Sequence, residues 1–245
     1  MDVTDQRIAP LIAEGPRATV LVPLSGGTFR MGAFVRADEQ PIREVKVAPF
    51  AVAFTPVSNA EYRTFLEATG HEPPRFWDAE RFNEAARPVV GVNWFDANDY
   101  CEWLSDLLAR RCRLPTEAER EFAALGGLED GRAYPWGEEP WCEGEFAFGA
   151  EGADRPLVIG TTEPNGYGLY HVAENVHEWC SDWYAPDAYA SGETDNPRGP
   201  AEGQRRASRG GSWRHRMKVS RIASRSSLAP DRRYNDYGFR VYADI

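Results

Sequence analysis

Residues 113–127 read RLPTEAEREFAALGG. Thr116 and Glu119 stand at the spacing of a capping box, in which the hydroxyl accepts from the backbone at Glu119 and the carboxylate returns to the backbone at Thr116. The run therefore predicts a short helix that starts after Thr116 and stops at Gly126-Gly127, a pair suited to the left-handed turn that closes a helix. Upstream, FDANDYCEWLSDLLARR after Trp94 sets Tyr100, Leu104, Leu107 and Leu108 on one stripe of a second helix, with Cys101 beside it in a core position. Further upstream, Ser58 or Asn59 can cap a helix through AEYRTFLEATG that presents Tyr62, Phe65 and Leu66 and stops at Gly70. Before it, ATVLVPLSGGTFRMG predicts two short strands joined by a turn at Gly26-Gly27, and VKVAPFAVAF a strand pair broken at Pro49.

Downstream of residue 128 the character changes. Trp, Gly, Pro and charged residues dominate and no helical period persists, so this half reads as turns, bulges and short strands. With 22 glycines and 18 prolines in 245 residues, the chain predicts an irregular α+β fold with little regular secondary structure. The 8 Trp, 10 Tyr and 12 Phe run through both halves without a low-complexity linker, which predicts one domain over 1–245 with a sizeable core. No apolar run approaches the length of about 18 residues that spans a bilayer. The N-terminal MDVTDQRIAPLIAEG lacks a basic then apolar leader, so a soluble, cytoplasmic protein without a membrane partner is expected. Cys101, Cys112, Cys142 and Cys180 show no paired spacing of the kind zinc sites use and read as buried free thiols, although spacing alone does not exclude a disulfide.

Charge is unevenly spread. The net charge is −10, yet residues 205–240 carry 11 of the 28 Lys and Arg against Asp231 and Asp236 alone. Either these arginines pair internally with the acidic remainder or they form a surface for an anionic small-molecule or peptide ligand. Nucleic acid is an unsuitable partner, because an acidic chain is repelled along a phosphate backbone.

Eight segments occur in an order that resembles the formylglycine-generating-enzyme (sulfatase-modifying-factor) family: GGTFRMG, VSNAEYRTF, VVGVNWFDANDYCEWL, RLPTEAEREFAA, YPWG, PNGYGLYHVAENVHEWCSDWY, RGGSW and GFR. The resemblance spans nearly the whole chain and implies a C-type-lectin-like fold. Members that generate formylglycine use two cysteines shortly after the GGS element to bind copper(I), the soft ion that thiolates suit. Here that stretch is GGSWRHRMKVSRIASRSS, with no cysteine from Gly210 to the end and His215 aligned with the first of the pair. Formylglycine generation is therefore not expected.

The resemblance also marks substitutions in GLYHVAENVHEWCSDWY, where His171, Glu174 and His177 replace the Asp, Gly and Trp usual in the family. The same segment helps bind calcium in relatives, which implies Asn175 and Glu178 as calcium ligands here. His171, His177 and His215, with Glu174, form the candidate ligand set for non-haem iron or copper, since neutral imidazoles bind both. Ser212, His215 and Trp179 are the candidate catalytic residues, and Arg214, Arg216 and Arg221 the candidate anchors for an anionic substrate, because Arg presents a planar fork to oxyanions. Arg209 and Arg240 are expected to hold carbonyls and acids around the site. The expected function is a metal-dependent oxidoreductase. Its alternative is a non-catalytic ligand- or protein-binding module on the same fold, as in the variable proteins of diversity-generating systems. His71, after the helix stop at Gly70, and Cys180 read as structural.

Overall fold

The structure is a computed structural model that describes residues 6–128, 132–138 and 154–245; Cys142 lies outside them. Among the described residues it combines short helices with three small sheets, and much of the chain is irregular. Helix α1 (Ile8–Glu14) buries Ile8 and Leu11 and was not signalled in the sequence, where Pro10 obscures a single short helical period. Proline is tolerated in a first turn, whose N–H groups have no intrahelical partner.

Strands β1 (Leu21–Leu24) and β2 (Gly27–Met31) form where expected but do not pair with each other. β1 joins β4 (Phe50–Ala53), whereas β2 joins β3 (Arg43–Val47) in a separate two-stranded sheet. Gly26, at φ 66°, redirects the chain between them, and a Cβ there would lie 2.3 Å from the Val47 carbonyl oxygen. Any other residue would have to move backbone.

The three main helices obey their caps. α2 (Asn59–Thr69), α3 (Trp94–Leu108) and α4 (Glu117–Leu125) carry capping boxes at Ser58/Glu61, Asn93/Asp96 and Thr116/Glu119. Tyr62 and Tyr100 stack face to face across α2 and α3 at 5.7 Å, with Phe65 and Phe239 edge-on to Tyr100. Leu66, Leu107 and Leu108 are only partly buried. Fully burying a side chain such as Phe65 contributes about 1.5–3 kcal/mol. Cys101, Cys112 and Cys180 are buried free thiols; burial pushes the thiols of Cys101 and Cys180 up, away from reactivity.

In the first sheet, β4 is flanked by β1 and by β10 (Tyr242–Asp244), which in turn pairs with β5 (Cys112–Arg113). The sheet that carries the site has the order β8-β7-β6-β9, built from β6 (His177–Trp183), β7 (Arg206–Arg209), β8 (Arg225–Leu228) and β9 (Tyr237–Gly238). Its pairs are antiparallel except β6 with β9, which run parallel and set His177 opposite Tyr237. A last helical turn, α5 (Ala188–Ser191), buries Tyr189. No helix among the described residues is long and apolar enough to cross a membrane.

Candidate metal centre

The parallel β6–β9 pair brings together residues 59 positions apart. His177 opens β6 and donates its backbone N–H to the Asp236 carbonyl at 2.9 Å. The loop after β7 then carries Ser212 and His215 across the same end: the Trp213 N–H donates to the Asn175 carbonyl, and His215 N–H to the Ser212 carbonyl. Gly211, at φ 63°, permits this turn, because a Cβ there would fall 2.3 Å from Ser220 Oγ.

Side chains converge accordingly. His177 Nε2 lies 3.1 Å from His215 Nδ1, and Ser212 Oγ lies 3.1 Å from both His215 Nδ1 and Asp236 Oδ2. One potential ligand atom from each of His177, His215 and Asp236 falls within 4.8 Å of the others. His177 and Asp236 are buried, while His215 is part-exposed. Nδ1 of His177 is sealed without a hydrogen-bond partner. Burial, the neighbouring His215 and Arg214 together depress His177 to about 3, so its imidazole is neutral at physiological pH. Burial also lowers His215, against the opposing pull of Asp236.

Two nitrogens bound to one metal at about 2.1 Å and right angles stand roughly 3.0 Å apart, so the His177–His215 separation suits adjacent ligands. The donor set fits as well: two imidazoles and a carboxylate are the ligands of facial-triad iron sites. A copper(I) thiolate centre does not fit, since no cysteine follows Gly210 and the Cys180 thiol is buried against the Glu178 carbonyl.

The structure rearranges the expected set. His171 and Glu174 are not part of this cluster. His171 stands at φ 56° with both ring nitrogens engaged: Nε2 accepts the Gly160 N–H at 3.0 Å, and Nδ1 meets Glu174 Oε1 at 2.8 Å. Their place is taken by Asp236, an acid that nothing in its own sequence neighbourhood marks as a ligand. Trp179 is fully buried and donates Nε1–H to the Val92 carbonyl, so it cannot touch a substrate. Ser212 is equally buried; it orients His215 and Asp236 rather than meeting a reactant. A serine nucleophile must be reachable, which removes the hydrolase arrangement that Ser212, His215 and Asp236 superficially make.

Of the arginines, Arg221 is withdrawn as an anchor: its fork is saturated by Glu39 at 2.9 and 2.6 Å. Arg214 is exposed, donates to Asn235 Oδ1 and stands 4.0 Å from Asp236. Arg216 lines a cavity of about 210 Å³ together with His177, His215, Lys218 and Ser224. Arg209 and Arg240 hold carbonyls and acids, as expected. Arg209 reaches Glu117, Glu121 and the Ile222 carbonyl, and Arg240 reaches Glu178 and the Ala53 and Tyr170 carbonyls.

The implied calcium ligands do not fit that ion. Asn175 spends its amide on Leu157, accepting from the N–H at 2.8 Å and donating to the carbonyl at 3.2 Å. Glu178 accepts from Arg120 at 2.6 Å and Arg240 at 2.9 Å. Burial opposes its ionisation, but the two guanidinium groups prevail and hold the carboxyl below its ordinary range. A hard dication needs oxygens that are not already committed to cations.

Small sheets, capped helices and a loop-borne site at the β6–β9 edge define the fold of an enzyme-related family. The chain belongs to that family: residues 9–245 match the sulfatase-modifying factor enzyme 1-like domain. It is 35% identical to the formylglycine-generating enzyme of Streptomyces coelicolor, over 95% of this chain and 92% of that protein. Among solved structures it resembles PvdO from Pseudomonas aeruginosa, at 27% identity and a TM-score of 0.76 over 92% of this chain and 94% of that one. It also resembles Treponema denticola variable protein 1, at 25% identity and a TM-score of 0.76, covering 92% of this chain and 95% of that one.

Proposed function

We propose that this chain is a metal-dependent oxidoreductase of the formylglycine-generating-enzyme-like superfamily, with non-haem iron or copper held by His177, His215 and Asp236 and without formylglycine-generating activity. The observation that carries the reading is the convergence of two imidazoles and a carboxylate, with potential ligand atoms within 4.8 Å of one another. The carboxylate favours iron over copper, because two imidazoles with one carboxylate leave open positions suited to O₂ and substrate. When bound, the metal would supply redox chemistry. The protein's own part is to fix the ligands: Ser212 donates to Asp236 Oδ2, and the β6–β9 pair fixes His177 against Asp236 through its backbone N–H.

Metal analysis of untagged protein tests this, with iron(II) and copper(II) reconstitution followed by O₂-consumption assays. Near-stoichiometric metal is expected, lost in His177→Ala, His215→Ala and Asp236→Ala but retained in His171→Phe, whose ring nitrogens serve Gly160 and Glu174. Substoichiometric metal that reconstitution and the three variants leave unchanged would sink the enzyme reading and favour the binding module.

A further inference from the structure

Lys218 and Arg216 lie on and beside the single helical turn Met217–Val219, with Met217 pinned beneath by Tyr134 and Trp136. They face the cavity of about 210 Å³ whose other walls include His177, His215, Ser224, Ser226, Arg36 and Arg225. Among the described residues no carboxylate-bearing residue lines it.

The cations differ in availability. Arg225 is spent in a two-pronged pair with Glu117 at 2.7 and 2.9 Å, and Arg36 is tied to Asp38 and to the Arg225 carbonyl. Lys218 is exposed and has no carboxylate partner among the described residues. Ser224 is buried, and its hydroxyl donates to no described residue. Among the described residues, an unpaired ammonium and a free hydroxyl meet at one cavity of a protein whose net charge is −10, a combination that suits an anion. The cavity is smaller than those that enclose a whole drug-sized ligand, so it suits the end of a molecule rather than all of it.

We propose that the substrate of this site carries an oxyanion head group, a carboxylate or a phosphate, held by Lys218 and the Ser224 hydroxyl in the cavity that His177 and His215 close. The inference rests on the metal reading above for its claim that the bound molecule is a substrate. It deepens that reading by orienting the molecule: the anion sits toward the Met217–Val219 turn and the remainder passes the two histidines. Arg221, though basic and nearby in sequence, takes no part.

The probes are acetate, inorganic phosphate and neutral acetamide, titrated calorimetrically into metal-free and metal-loaded protein. Acetate or phosphate is expected to bind metal-free protein and acetamide to bind neither form. Which oxyanion binds more tightly identifies the head group. Lys218→Ala should weaken binding ~10-fold, the loss of one charge-assisted contact, and added salt should weaken it further. Lys218 is exposed, so its replacement leaves the fold intact and metal uptake unchanged. Metal uptake without discrimination between acetate and acetamide, or oxyanion binding indifferent to Lys218→Ala, overturns the inference and leaves the metal reading standing. Discrimination in a protein that takes up no metal overturns the metal reading instead.

Discussion

His177 and Glu178 are neighbours on β6 and both are buried, at 4% and 0% exposure, yet they belong to opposite kinds of polar interior. Successive strand residues face opposite sides of a sheet. Glu178 enters a saturated region: Arg120 and Arg240 share its carboxylate, and their remaining donors reach the carbonyls of Val172, Ala53 and Tyr170. His177 enters an unsaturated one, where Nδ1 has no partner and Nε2 faces another imidazole nitrogen. Burial does not separate a structural group from a ligand here; satisfaction does. An orphaned atom alone would not suffice, since the hydroxyls of Tyr62, Tyr100 and Tyr242 are orphaned too. The distinguishing feature of His177 is that two further metal-binding groups share its space.

Removing one member of the saturated region should have the largest effect. Arg240→Ala strands part of the Glu178 charge and the carbonyls of Ala53, Tyr170 and His171, and breaking a buried ion pair from one side costs about 3–5 kcal/mol. Urea denaturation should show a lower midpoint with an unchanged slope. A loss under about 1 kcal/mol would mean that water reaches Glu178 and that its surroundings differ little from those of His177.

Asp182, further along β6, is a milder case within the same interior. Its carboxyl accepts the Glu117 N–H and the Ser181 hydroxyl, but burial, reinforced by the Glu117 and Glu119 carboxylates, pushes it up to about 7 from an ordinary 3.8. The folded state therefore holds this proton more tightly than the unfolded chain does. Its stabilising contribution is full below about pH 4 and is lost as pH rises toward 7, by roughly 4 kcal/mol at most. Glu178, depressed in the folded state, works the other way and loses stability in acid. The difference between wild type and Asp182→Asn isolates the first effect: the wild type should lose stability relative to the variant from pH 4 to 7. A constant difference over that range would show that Asp182 is ionised throughout.

Much of the fold was legible and the site was only half so, for physical reasons. The caps of α2, α3 and α4 are local, because each capping side chain accepts from a backbone N–H three residues away. Helix stripes such as Tyr62 and Phe65 are local as well. The partner of β1 was not, since a Gly26 turn can close a hairpin or send the chain to another sheet, and only the long-range pairing with β4 decides. The ligand set divides along the same line. His177 and His215 stood out by residue type and by the segments that hold them. Asp236 is an ordinary acid in a basic stretch, and nothing but the parallel pairing of His177 with Tyr237 brings it near. His171 and Glu174 were misplaced because their i, i+3 spacing serves a local hydrogen bond as readily as a metal.

In the unsaturated region an apolar replacement should cost little, because the His177 side chain borders a cavity. His177→Phe deletes an unpartnered buried nitrogen along with one imidazole contact, and replacing a poorly satisfied polar group by an apolar one is nearly neutral. The change in unfolding free energy should stay within about 1 kcal/mol while metal uptake disappears. A loss comparable to that of Arg240→Ala would show that the His177–His215 contact is structural, and the comparison between the two regions would break.

The smallest expected effect is none. Calcium should not stabilise the wild type, because Glu178 is already neutralised by two arginines and Asn175 is committed to Leu157. A ligand present at a hundredfold excess over its Kd stabilises by about 2.7 kcal/mol. For a chain of this size that would raise Tm by about 5–10 °C. Thermal melts in calcium and in chelator should therefore coincide. A calcium-dependent shift of that size, abolished in Glu178→Gln, would place an ion among groups that the structure closes with guanidinium, and would reverse the assignment of the saturated region.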